Sequence, residues 1–130
     1  MRSIAEAERV TNGYWFAIAS NQALADPRRN TALADLLARF AKAAQWARAH
    51  PREWAEKYAA AVGLDPQVAA VAQGRSLRLP TGLTDDVVAS EQRLSDLLAA
   101  AGQIQSSPRF ADWVDRRFND SVKPYLMSPS

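Results

Sequence analysis

The run Asn12-Gly13-Tyr14-Trp15-Phe16-Ala17-Ile18-Ala19-Ser20-Asn21 decides the fold class, because it is the chain's one strand-like segment. Tyr14 to Ala19 is aromatic and β-branched and is bounded by the turn formers Asn12-Gly13 and Ser20-Asn21, the pattern of a short strand. A single strand cannot stand alone, since each buried N–H or C=O left without a partner costs about 1–3 kcal/mol. If Tyr14 to Ala19 is a strand, another chain or a missing part of this one has to complete its sheet.

Most of the chain after this run reads as helix. Asp26-Pro27-Arg28-Arg29-Asn30 reads as a chain break, and Thr31 as the N-cap of a long helix reaching His50-Pro51. In that helix Leu33, Leu36, Leu37, Phe40, Ala44 and Ala47 recur at helical spacing and are expected on the buried face. Pro51 suits the first position of a second helix, with Trp54, Tyr58 and Val62 inward and Gly63 as its stop. Asp65-Pro66 opens a third, with Val68 and Val71 inward and an end at Gly74. Ser76 to Leu83 is extended, because Pro80 and Gly82 oppose helix. Thr84 caps a fourth helix whose Val87, Val88, Leu94, Leu97, Leu98 and Ala101 share a face before Gly102 closes it. Ser107-Pro108 opens a last helix, with Phe110, Trp113, Val114 and Phe118 inward and Lys123-Pro124 as its end. The expected organisation is a lead-in over residues 1–11, a helical domain over 12–122 and a loose tail over 123–130. The two long helices are expected to pack on each other through Leu36, Leu37 and Phe40 against Val88, Leu94 or Leu98.

Composition narrows the function classes. Sixteen basic against 14 acidic residues leave a net charge of +2, with no concentrated basic face for nucleic acid. The absence of cysteine excludes disulfides, thiolate catalysis and zinc–thiolate sites. No run approaches the roughly 20 apolar residues of a membrane span. Met1 to Glu8 places acids where a signal peptide has its apolar core, so an export signal would lie outside this sequence. His50 is the lone histidine, and with only Glu53 and Glu56 nearby it reads as an exposed cap rather than a metal ligand or base. The glycines are scattered as stops and form no phosphate loop. No catalytic residue, metal site or cofactor is expected, and the chain does not read as an enzyme.

Several stretches in order carry a family resemblance: Trp15 to Ser20, Ala43 to Pro51, Thr84-Asp85, Val88 to Ile104 with Gln92 and Asp96, and Trp113 to Phe118. Together they resemble the C-terminal part of periplasmic solute-binding proteins of the aliphatic sulfonate, nitrate and taurine type, which feed ABC importers. The chain departs from that pattern at Gly82 and Gln105, where the family has proline, and at Arg78, where it has an aromatic residue. The resemblance implies a mainly α chain with one short strand, a partial type II periplasmic-binding-protein-like α/β fold with the first lobe incomplete. It implies a periplasmic location, a small sulfonate-like organic anion as ligand, and the importer's membrane permease as partner. Asn12, Tyr14 and Trp15 would lie at the cleft edge as ligand-binding residues, while Arg75, Gln92 and Asp96 would be structural polar contacts. A different class of reading is a free-standing helical interaction protein, dimerising by pairing Tyr14 to Ala19 with a second copy.

Overall fold

A computed structural model describes residues 13–126, and within them the chain is helical with no strand. The helices are α1 (Asn21–Ala25), α2 (Pro27–Ala49), α3 (Pro51–Val62), α4 (Pro66–Ser76), α5 (Asp85–Ala100) and α6 (Asn119–Val122). Short 3-10 turns stand at Phe110–Trp113 and Lys123–Tyr125.

The expected strand is absent, and with it the α/β periplasmic-binding-protein-like fold. Gly13 to Ser20 has no regular structure, and its β-forming side chains stand in solvent, Trp15 at 81% and Ile18 at 95% exposure. The reason is the one raised by the sequence itself. β-propensity is realised only against a neighbouring strand, and no described residues offer one.

Helix starts follow capping chemistry. Asp26 accepts from the N–H groups of Arg28 (2.9 Å) and Arg29 (3.3 Å), and Pro27 takes the first position of α2. Asp65-Pro66 repeats this at α4, with Asp65 accepting from Gln67 (2.8 Å) and Val68 (3.3 Å). Asp26-Pro27 is therefore a helix start rather than a break, and α2 begins four residues before Thr31. Thr84 caps α5 through the Val87 N–H at 3.4 Å. Two stops use the left-handed region that glycine alone enters without penalty: Gly63 (φ 71°) after α3 and Gly102 (φ 70°) after α5. Gly74 is not a stop, since α4 continues through it to Ser76.

The chain divides into two compact units. One joins the N-terminal residues through Ala17 to Leu83–Arg116, and the other joins Ile18–Gly82 to Arg117 onward. The two long helices, α2 and α5, fall in different units. In the second unit α3 and α4 lie against each other, and α2 packs against α1, α3, α6 and the Lys123–Tyr125 turn. The Asn30 side chain ties the α1–α2 corner by donating to Leu24 O (2.6 Å) and Asp26 O (3.0 Å). Arg117 Nη1 completes the knot, donating to Leu24 O (2.7 Å) and Asn30 Oδ1 (3.1 Å) across 93 and 87 residues of sequence.

The buried side chains include Ala44, Ala47 and Val87 of the expected core and correct much of the rest. Among the described residues they are Ala41, Ala44, Ala47, Ala55, Ala59, Ala69 and Val87, while Leu36, Phe40, Val62, Val68, Val71, Leu97 and Leu98 are exposed. Small side chains let helix backbones approach closely, and the larger residues beside them are pushed to the flanks. The expected last helix is also broken into the Phe110–Trp113 turn and the four-residue α6, with Trp113 at 76% exposure. Hydrogen bonds from α5 take the Phe110 N–H and the Ser107 side chain, which holds this segment away from a continuous helix.

Candidate functional site

In the first unit, a ring contact ties the N-terminal segment to the stretch after α5. Phe16 meets Phe110 edge-on with centroids 5.6 Å apart, and Tyr14 lies 6.4 Å from Phe16. An edge-to-face pair of this kind is worth about 0.5–1.5 kcal/mol beyond its buried area. Of the expected cleft residues, Tyr14 and Trp15 are exposed on this segment, and Asn12 lies outside the described residues.

Gln92 and Asp96, one turn apart on α5, build a polar latch. Gln92 Nε2 faces Asp96 Oδ1 (3.0 Å), Ser107 Oγ (3.0 Å) and the Pro108 carbonyl (3.1 Å). Gln92 Oε1 accepts the Phe110 N–H at 2.8 Å, and Ser107 Oγ donates to Asp96 Oδ1 at 2.6 Å. Ser95 Oγ lies 3.1 Å from Ser107 Oγ. The Ser107 hydroxyl, and after it the Gln92 amide, hold the Asp96 carboxyl below the usual aspartate range. Both ends of the Gln92 amide are used within the chain, so the latch fastens the segment after α5 to that helix. At the start of α5, Arg116 pairs with Asp85.

In the second unit, Arg75 stands in the last turn of α4, where a helix C-terminus favours a cation. His50 does not cap α3 with its side chain. Its ring stacks on Trp46 (4.8 Å, 14° between planes), and Nδ1 lies 2.9 Å from the Trp46 carbonyl. The residue therefore closes the end of α2 rather than the start of α3.

The second unit also holds a shallow depression of about 200 Å³ between α3 and α4. Its floor is Ala47, Trp54, Ala70, Gly74 and Leu77, and Arg48 and Arg52 stand on it as well. Trp54 Nε1 donates to Gln73 Oε1 at 2.8 Å, which fixes the indole as one wall. Sequence reasoning missed this place because Gly74 read as a helix stop. A glycine inside a helical pattern was the available signal.

Among the described residues, no group of three or more histidine or acidic side chains is placed to hold a metal ion. No helix there is long and apolar enough to cross a membrane. No protein-family model, curated protein or solved structure matches the chain. The family resemblance thus rests on its quoted residues alone.

Proposed function

We propose that this chain is a non-enzymatic docking module that binds another protein through exposed helix faces. The observation that carries this reading is the inverted use of side chains: alanines are buried while Leu36, Phe40, Val68 and Val71 stand in solvent. Leaving a leucine or phenylalanine exposed forgoes about 1.5–3 kcal/mol each. Leu36 and Phe40 are one turn apart on α2, at 59% and 71% exposure, so they form a single apolar patch. Val68 and Val71 share a face of α4 in the same way. Grouped exposed apolar side chains mark interaction surfaces, whereas isolated ones need no explanation.

The importer-receptor reading, with its sulfonate ligand, permease partner and periplasmic location, keeps the Gln92–Asp96 helix. It loses the sheet on which a two-lobed cleft is built, and the docking reading is preferred for that reason. An incomplete receptor and a docking module both expect nothing tighter than about millimolar from short alkanesulfonates and taurine, so micromolar binding would overturn both by showing a complete small-anion site.

The direct test is sedimentation velocity over a wide concentration range, because the most accessible helix face in a pure sample is that of a second copy. Weak self-association is expected, lost in the double variant Leu36→Ser/Phe40→Ser with Tm unchanged. A chain that stays monomeric throughout, or a double variant that loses several degrees of Tm, overturns the reading.

A further inference from the structure

We propose that the run Trp15-Phe16-Ala17-Ile18-Ala19 pairs as an antiparallel strand with the same run of a second copy, Ala17 standing opposite the partner's Ala17. The contact goes beyond the docking reading above, because it uses none of the helix faces. Backbone capacity is the first argument. Residues 13–20 have no regular structure, and among the described residues no hydrogen bond involves the backbone of residues 16–19. The side chains on that backbone are apolar and exposed, Trp15 and Ile18 most of all. A solvated loop has no need of such side chains. Successive apolar residues from Tyr14 to Ala19, with neither charge nor proline, are instead the composition of a segment that adds to another strand.

The order of side chains names a second copy as the partner. Laid antiparallel on itself about Ala17, the run sets Phe16 opposite the partner's Ile18 and Trp15 opposite the partner's Ala19. The first is an aromatic–β-branched pair, a favourable cross-strand combination, and the second sets a large side chain against a small one. Two-fold symmetry repeats both pairs on the other side of Ala17. Residues 12–21 carry no charge, so two copies of the segment meet without like-charge repulsion. Phe16 and Ile18 share one face of a strand, and Phe16 already rests on Phe110, so that face is backed by a ring in each copy.

The hydrogen bonds fall on the residues that are open to make them. In antiparallel strands, hydrogen-bonded and non-hydrogen-bonded pairs alternate. With Ala17 in a non-hydrogen-bonded pair, Phe16 and the partner's Ile18 exchange both N–H···O=C bonds, and so do Ile18 and the partner's Phe16. All of these bonds use backbone groups of residues 16 and 18. None is asked of Tyr14 or Trp15, which are engaged within the chain. A two-stranded ribbon is marginal by itself in water, so the contact is brief, escapes sedimentation and is read by trapping it.

The experiment is disulfide trapping, for which a chain without cysteine is a clean background. The full chain carries Leu36→Ser/Phe40→Ser, so that the α2 patch cannot bring copies together, and one introduced cysteine. Non-hydrogen-bonded pairs hold their Cα atoms about 4.5 Å apart, inside the roughly 4.4–6.8 Å that a disulfide spans, so Ala17→Cys should cross-link under a mild oxidant. Ile18→Cys, which meets the partner's Phe16 and no thiol, should cross-link roughly tenfold more slowly. Adding Ile18→Pro to Ala17→Cys removes a donor and should also slow trapping roughly tenfold. Residues 17 and 18 are both exposed, so Tm should stay unchanged in every variant. Equal rates for Ala17→Cys and Ile18→Cys overturn the proposal, because random collision would then account for both. Absence of any cross-link overturns it too, and leaves the segment to the sheet edge of a different protein. Neither result touches the docking reading, which sedimentation of the cysteine-free chain decides.

Discussion

The α3–α4 pair and the α5 latch hold their segments together by opposite means. Between α3 and α4 the contact is hydrocarbon: Ala55, Ala59 and Ala69 are buried, and a single side-chain hydrogen bond, Trp54 to Gln73, crosses the pair. After α5 the contact is polar, with Gln92 and Asp96 gripping Ser107, Pro108 and Phe110. A seam of alanines depends on shape, because a methyl group buries little area and tolerates no added volume. A latch depends on direction, because each hydrogen bond adds little net stability but is costly to leave half made. The first should resist polar disruption and fail on overpacking; the second should fail when one donor or acceptor is removed.

The largest expected effect comes from the seam. Ala69, fully buried, has no room to grow, so Ala69→Leu should cost about 1–3 kcal/mol, as overpacking does. Chemical denaturation of the variant checks this, and an unchanged midpoint would mean that the seam is loose. For the latch, Gln92→Ala leaves the Phe110 N–H without its acceptor and should cost about 1–2 kcal/mol. Gln92→Glu, though isosteric, should be no better, because it puts an oxygen where an N–H₂ now faces Asp96. Hydrogen exchange at Phe110 reads both variants locally. Equal protection in wild type and variants would show that the latch holds nothing.

The latch also carries a pH signature. The folded pKa of Asp96 is depressed, so its contribution is complete above the unfolded value and disappears only as pH falls through the folded one. Protection of Phe110 should therefore be constant from neutrality down to the ordinary aspartate range, begin to decline as pH falls through it, and be lost below it. Asp96→Asn should remove that acid-side transition, and its survival in the variant would assign it elsewhere. The smallest effect has the opposite sign. Gly74→Ala should stabilise the chain by about 0.5–1 kcal/mol through helix propensity, since nothing obstructs the new methyl. A destabilised Gly74→Ala would reveal a close neighbour there.

The seam and the latch differ just as much in how far they can be read before folding. Gln92 and Asp96 are four residues apart on one helix, so their pairing is local and visible in sequence. Their grip on Ser107 and Phe110 spans 15 to 18 residues and is not. The seam is hidden more deeply. Periodicity marks Val68 and Val71 as the apolar face of α4, yet Ala69 faces the neighbour. Hydrophobic strength ranks valine above alanine, but close approach of two helices selects the smaller side chain. The depression was overlooked because its floor comes from α2, α3 and α4 together, and no one of them shows it alone.

What the sequence determined by itself is therefore local chemistry. Thr84 and Asp65-Pro66 start helices through side-chain caps within three residues, and Gly63 and Gly102 end them by entering a backbone region closed to other side chains. Asp26-Pro27 carried the same signal as Asp65-Pro66 and was legible in principle. Tertiary structure alone decided whether Tyr14 to Ala19 became a strand, which helix faces were buried, and whether Pro108 to Val122 made one helix. Each of those outcomes depends on a partner distant in sequence: a second strand that is not there, a helix close enough to favour alanine, a glutamine that takes a backbone N–H. Caps and stops close within one turn of chain, whereas burial is a relation between segments that only folding brings together.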